Sequence, residues 1–385
     1  MSNKPIYFDN AATSFPKPPI VIMETVRAFT DYGGNPGRSG HFLSVSASRE
    51  IYKCREEICS FMNFDSPERV VFTQNTTQAL NFAIKGLIKP DSHILISNLE
   101  HNSVIRPVHA LSSDESLKIC YSTFDAASED DSVIVKNFTK EIRCNTRMAV
   151  ITAASNICGH LLPMKQISEI CRGKGISLVI DAAQACGEIG IDLSEINPTA
   201  ICCAGHKGLY GPPGTGFAVF SKEAEPVSII QGGNGTMSEM PEMLGELPEM
   251  LEAGTLNTVG ICGLMAGIKH IKCLGINEIS EKTHLLRKYI TDGLYELGAY
   301  VYGDYKVKTP IILFNIPGKS SSEVASFLDE NGICTRSGLH CAPTAHKALA
   351  TGDSGAVRVS LGFQNTKQEA SRFLSVMKEY VFSEK

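Results

Sequence analysis

No apolar run in the 385 residues is long enough to span a bilayer, and the opening MSNKPIYFDN lacks the basic stretch followed by an apolar one that marks an export signal. Positive charge is not in excess either. Lys and Arg number 36 against 41 Asp and Glu, a net charge of −5, so the chain has no field for drawing in nucleic acid or anionic lipid. None of the 13 cysteines belongs to a C-x-x-C pair, and an odd number without an export signal points to reduced thiols rather than a disulfide framework. A zinc site would need scattered ligands. Internal repeats and low-complexity tracts are absent. The expectation is a cytoplasmic protein, with no membrane or nucleic-acid partner, that works on small molecules or other proteins.

The chain is 43% hydrophobic and 20% charged, enough for a large core and two domains. From about residue 70 to 220, short apolar runs alternate with helix-like segments: Val70-Val71-Phe72 before Thr76 to Gly86, Ile94-Leu95-Ile96 before Val104 to Leu111, and Val150-Ile151 before Lys165 to Cys171. Ile176 to Ile180 and Ala200 to Cys203 continue the series. This alternation predicts an α/β unit with a mostly parallel, helix-covered sheet, whose ligands sit at the carboxyl ends of the strands. Polar residues stand at those ends: Thr76-Thr77, Glu100-His101, Asn156, Asp181 with Gln184, and His206-Lys207. After Gly260 the texture changes to an amphipathic stretch carrying Ile279, Leu286, Ile290, Leu294 and Leu297 at helical spacing, then strand and helix signals with capping boxes at Ser320-x-x-Glu323 and Thr366-x-x-Glu369. A smaller α+β C-terminal domain is expected there. Gly232 to Glu252 has no period and reads as a loop excursion.

The segment ICCAGHKGLYGPPGTG, Ile201 to Gly216, poses a choice between two chemistries. A phosphate-binding loop needs Lys and Ser or Thr after its last glycine, and here Phe217 and Ala218 follow, so the glycines read as a tight connection between two strands. Lys207, at a strand end beside a histidine, is either a surface lysine or a desolvated nucleophilic amine. Asp181 tips the balance. A carboxylate at the neighbouring strand end can keep a pyridine nitrogen protonated, which pyridoxal phosphate requires as an electron sink.

With these residues in hand, the chain resembles the pyridoxal-phosphate-dependent cysteine desulfurases, class V aminotransferases of fold type I. The resemblance runs from Asp9-Asn10-Ala11-Ala12 to Arg358-Val359-Ser360-Leu361 through SNLEHNS (97–103), DAAQACG (181–187), GHK (205–207), EAGTLN (252–257) and RSGLHCAP (336–343). The short RSGLHCAP form is similar to the branch with a compact cysteine loop, shared with selenocysteine lyase-like members. The resemblance implies a large domain over 15–260 built on a seven-stranded sheet, and a small domain from 1–14 and 261–385 that carries the reactive cysteine.

It also implies roles. Lys207 would carry pyridoxal 5'-phosphate covalently, Asp181 would pair its ring nitrogen, His101 would stack on the ring, and Gln184 and Asn156 would bond its oxygen side. The phosphate would lie at Thr76-Thr77 with His206, and Thr255 would reach across from a second subunit of a homodimer. Arg358 would clamp the substrate carboxylate, with Ala11, Asn35, Arg38 and Arg336 also on the substrate side. One departure stands out: the family's phosphate-binding serine three residues before the lysine is Ala204 here. Cys341 alone among the thiols is framed by Arg336, Gly338 and His340, a cationic setting that favours the thiolate; a structural loop cysteine is the alternative. The implied reaction strips sulfur from L-cysteine, leaving alanine and a persulfide on Cys341 for an acceptor protein or small thiol, with iron–sulfur cluster assembly among its outlets. The rivals are a selenocysteine lyase, acting on L-selenocysteine, another class V enzyme, and a persulfide carrier with no activity of its own.

Overall fold

The protein is described by a computed structural model covering residues 4–37, 39–233, 235, 239–243, 245–304 and 309–382. Its centre is a seven-stranded sheet in the order Val70–Thr73, Gly216–Phe220, Ala200–Ala204, Ser177–Asp181, Thr146–Thr152, His93–Ser97, Cys120–Phe124. Gly216–Phe220 runs antiparallel to both its neighbours, and every other pairing is parallel. The expected α/β class therefore holds. The central strands are apolar throughout because helices cover both faces. Successive residues serve opposite cores: Cys202 faces the side of Val150, Val179 and the helix Thr76–Leu87, while Cys203 faces the side of Ile151, Ile180 and Phe217. Both thiols are fully buried and act as small apolar side chains.

The glycine-rich segment is the expected strand connection. Ala204 and Gly216 are paired across an antiparallel ladder, with Tyr210 and Gly214 in the left-handed region at φ 58° and 79° making the turns between them. Gly205 packs so closely on Thr215 that no side chain fits there.

The second unit has an antiparallel sheet, Arg336–Gly338, Ala356–Ser360, Ile311–Asn315 and Tyr300–Tyr302, packed around Phe8, Leu294, Ile312, Phe314, Val359 and Phe373. Both capping boxes form: Glu323 N–H donates to Ser320 Oγ at 3.2 Å and Glu369 N–H to Thr366 Oγ1 at 3.2 Å. The strand Ile6–Tyr7 pairs with Ile333–Cys334, so the first residues of the chain join the last third. The division expected after residue 260 falls inside the helix Thr258–Leu274. Ile261, Leu264 and Ile268 on that helix lie in the core of the large unit, and the chain turns by 80° at Gly275 into Ile276–Glu296, which packs on the C-terminal helix Lys367–Phe382. Residues 232–252 form no helix or strand among those described. No single described helix is long and apolar enough to cross a membrane.

A buried ion pair ties the end of this excursion to the sheet. Arg55 donates to Glu252 through Nη1 at 3.0 Å and Nη2 at 2.7 Å, stacks 4.7 Å from the Phe72 ring centre, and the Phe72 amide donates to Glu252 Oε1 at 2.7 Å. Burial raises the Glu252 carboxyl even with the guanidinium beside it, so desolvation outweighs attraction at this site. Removing one partner strands the other charge. Glu252→Ala is expected to lower the unfolding free energy by about 3–5 kcal/mol in urea titrations, while Arg55→Met combined with Glu252→Leu recovers most of that loss. Equal stability of the single and double variants would refute this account.

Candidate active site

The parallel strands end together, and their carboxyl ends bring Thr76, Thr77, His101, Asn156, Asp181, Gln184, His206 and Lys207 around one pocket, with Asn75, Ser103 and Thr152. Of the residues expected at the cofactor, only Thr255 is elsewhere: it is exposed and faces a different cleft beside Gly214 and Thr215. Asn35 is also exposed and away from this pocket, its carbonyl accepting from Ser44 Oγ at 2.6 Å. Arg38 lies outside the described residues.

Burial sets the chemistry of the pocket. Desolvation pushes the Lys207 amine down to about 8, against the opposing pull of Asp181, with Arg358 and Arg336 adding to the fall. Asp181 moves the other way, raised by burial although its Oδ1 accepts the Ala183 amide at 2.9 Å. His101 caps the helix Asn102–Ser112: its Nδ1 accepts the Ser103 amide at 3.0 Å, so in the neutral ring the proton is assigned to Nε2. Burial and the nearby Lys207 hold His101 down to about 4, so the ring is neutral at pH 7. Ser103 Oγ links it to Thr77 Oγ1 at 2.8 Å.

Two polar atoms on the wall, Thr76 Oγ1 and His206 Nδ1, are buried without a hydrogen-bond partner. They adjoin the start of the helix Thr76–Leu87, where the first backbone N–H groups have no intrahelical acceptor. Unpaired polar atoms beside a helix N-terminus suit an anion. Ala204, buried at the end of its strand, contributes no hydroxyl to this cradle.

The second unit and the N-terminal segment close on the pocket. Arg358 is 1% exposed; its Nη2 donates to Asp9 Oδ1 and its Nη1 to the Asn156 carbonyl, at 2.7 and 3.0 Å, while its Nε is buried with no partner. Gln184 Nε2 donates to the Ala11 carbonyl at 3.0 Å, and Asn156 Nδ2 donates to the His340 carbonyl at 2.8 Å. These two amides thus tie neighbouring segments to the pocket. Cys341 is exposed at its edge. The Asn102 amide, one residue past His101, donates to the Cys341 carbonyl at 2.8 Å, and Arg336 Nη2 lies 3.9 Å from Cys341 Sγ.

Set against known proteins, residues 6–373 match the family model described as Aminotransferase class-V. The chain belongs to the class V aminotransferase family. A protein of Pyrococcus abyssi named "Probable cysteine desulfurase" is 33% identical over all of this chain and 96% of its own length. One of the same name from Methanothermobacter thermautotrophicus is 33% identical over 94% of this chain and 92% of its own. Among solved structures, an apo cysteine desulfurase of Thermococcus onnurineus superposes with a TM-score of 0.90 at 30% identity, covering 98% of this chain and 95% of that one. This class V member therefore shares both sequence and fold with cysteine desulfurases along its whole length.

Several residues at this class V site escaped sequence reasoning. Asp9 faces Arg358 across 349 positions, and Lys17 Nζ donates to the His206 carbonyl at 2.7 Å beside Lys207. Glu100, singled out with His101 at its strand end, is fully buried instead of lining the pocket; it takes the Thr152 amide at 2.8 Å and a bond from Ser97 Oγ, and burial raises it to about 8. Only Ser103, two positions past a capping histidine, carried a local signal.

The shift of Lys207 has a consequence for stability. Its amine holds a proton below about 8 when folded and below 10.5 when unfolded, so between these values the unfolded chain binds more protons and stability rises with pH. Without added cofactor, Lys207→Met is expected to be more stable than the parent at pH 7, with the gap closing as pH climbs from 8 to 10.5. Chemical unfolding across that window measures it; a constant gap would contradict the desolvated amine.

Proposed function

We propose that the protein is a cysteine desulfurase, converting L-cysteine to L-alanine and holding the released sulfur as a persulfide on Cys341 until an acceptor protein or small thiol takes it. The observation that carries this reading is the docking of the cysteine loop: Asn156 holds the His340 carbonyl and the Asn102 amide holds the Cys341 carbonyl, so an exposed thiol borders the Lys207 pocket.

Pyridoxal phosphate fits the pocket. Thr76, Thr77, His206 and the adjoining helix start would take its phosphate, Asp181 its ring nitrogen, His101 its ring face, and Lys207 its aldehyde carbon. Bound there, the cofactor supplies a conjugated cationic ring that draws electrons away from the carbon next to the substrate nitrogen. The chain's own residues do the rest. Arg358, with an unpaired Nε, binds the substrate carboxylate; Asp9 and the Asn156 carbonyl fix its plane. Lys207 Nζ, pushed down to about 8, exists in part as the free amine at neutral pH and takes the α-proton. Cys341 Sγ then bonds to the substrate sulfur, and the electron pair of the broken carbon–sulfur bond stays on the β-carbon, which gains a proton to become the methyl group of alanine. Arg336 Nη2 stands 3.9 Å from Sγ, at the place where the new sulfur–sulfur bond forms.

The protein acts as a homodimer in this reading. The helix Pro19–Asp31 turns Val21 and Ala28 inward but leaves Ile22, Met23, Val26 and Phe29 exposed, Phe29 at 71%. Large apolar side chains left exposed along one helix face suit packing against a second copy. Such pairing also gives Thr255, exposed in a single chain, a second copy's phosphate site to reach. Phe29→Glu combined with Met23→Glu is expected to halve the mass measured by light scattering; an unchanged mass would exclude this face.

The activity has its own test. Purified protein loaded with pyridoxal phosphate should release alanine from L-cysteine, and after alkylation the peptide containing Cys341 should carry one extra sulfur. Cys341→Ala should keep the bound cofactor's visible absorption and its response to L-cysteine, yet lose alanine formation by about 100-fold or more, a typical cost of removing a covalent nucleophile. Alanine production at the parent rate by that variant would sink the proposal.

A further inference from the structure

His340 and Cys341 both occupy the left-handed region, at φ 48° and 56°, where residues with a Cβ rarely sit and almost never in succession. The two carbonyl tethers from Asn156 and Asn102 account for the backbone's position, but not for what holds the His340 side chain. That side chain is 3% exposed and lies edge to edge with His346, itself 2% exposed, the rings nearly coplanar with planes 14° apart and ring centres separated by 5.3 Å. His340 Nδ1 lies 3.0 Å from His346 Nε2, His340 Nε2 lies 3.3 Å from the Arg336 carbonyl, and His346 Nδ1 lies 2.7 Å from Thr351 Oγ1.

Counting protons along this row leaves a single arrangement. A carbonyl only accepts, so His340 Nε2 carries the hydrogen. In a neutral ring Nδ1 is then a lone pair, which requires His346 Nε2 to donate. His346 Nδ1 accepts in turn, and Thr351 Oγ1–H donates to it. The row thus runs one way, from Thr351 through His346 and His340 to the carbonyl of Arg336, the residue whose guanidinium lies near Cys341. Burial, the first cause for both rings, and the nearby Arg358 push His340 down to about 3 and His346 to about 4, which keeps the row neutral.

We propose that His346 and Thr351 are positioning residues for the sulfur-accepting thiol, acting through His340 to hold the left-handed His340–Cys341 turn at the mouth of the pocket. The inference rests on Cys341 as the acceptor of sulfur. Neither residue touches substrate. His346 starts from the short helix Pro343–Ala348 and Thr351 from the turn after it, so the segment following the cysteine is the brace for the cysteine.

The test uses the cofactor-loaded protein and three variants. His346→Leu keeps the volume but breaks the row; His346→Gln keeps a donor and an acceptor; Thr351→Val removes one donor with little change in shape. For His346→Leu, kcat for alanine formation should fall about tenfold or more, the cost of misplacing a reacting group, while KM for L-cysteine and the spectral response to it stay within about twofold. Alkylation of Cys341 by iodoacetamide, followed on its peptide without substrate, should change in rate by several-fold. His346→Gln should restore both quantities. Thr351→Val should move both in the direction of His346→Leu, and it decides the matter if His346→Leu does not fold. Parent values of kcat and alkylation in Thr351→Val, or a His346→Gln variant as impaired as His346→Leu, would overturn the proposal. The alkylation rate reads the loop without any turnover, so it still judges the brace if the desulfurase reading itself fails.

Discussion

Withdrawing a lysine amine from water is the constraint on which the rest of this structure depends. A charged ammonium resists burial, and Lys207 is kept inside by its place at the end of a strand hydrogen-bonded into the middle of a large sheet. The same burial forces the groups around it into particular states. Asp181 is raised, His101 and His206 are held neutral, and Glu100 behind them is raised as well. Each shift has desolvation as its first cause. The pocket is a low-dielectric place created by packing, and its acid–base properties follow from that placement rather than from unusual side chains.

The second constraint is that no single unit completes the site. The sheet supplies Lys207, Asp181, His101 and the helix start at Thr76. Arg358 and Cys341 belong to the C-terminal unit, and Asp9, Ala11 and Lys17 come from the N-terminal segment. These parts are stitched by single hydrogen bonds between distant backbone and side-chain groups, such as Gln184 to Ala11 and Asn156 to His340. Asn156 illustrates the economy of the arrangement, since its carbonyl orients Arg358 while its side-chain amide anchors the cysteine loop.

Much of this was readable in the sequence because strand ends and helix starts have local signatures. The apolar runs at 94–96, 176–180 and 200–203 became strands, and the polar residues that follow them became the pocket. The strand Cys120–Phe124 was not readable: it is an edge strand with partly exposed, mixed residues, so neither alternation nor a continuous apolar run marks it. The division placed after Gly260 followed a change to an amphipathic stretch, and that position lies within the helix Thr258–Leu274, whose Ile261, Leu264 and Ile268 pack in the core of the large unit. Asp9, Lys17 and His346 were invisible for another reason. Their partners lie far off in sequence or depend on a turn whose geometry no spacing rule encodes. Asn35, placed on the substrate side by its motif, does not line the pocket within one chain.

The ion pair between Asp9 and Arg358 has a bearing on how the protein is made. Asp9 and Arg358 lie 349 positions apart, so while the residues between them are being made the aspartate has no guanidinium to meet. The sheet and its lysine can be assembled on the ribosome from residues 70 to 220, but the Arg358 end has to wait for the strand Ala356–Ser360 to emerge. A product that stopped before that strand would hold the lysine in its pocket without the Asp9–Arg358 pair beside it, which makes the pair a late event in the making of each chain.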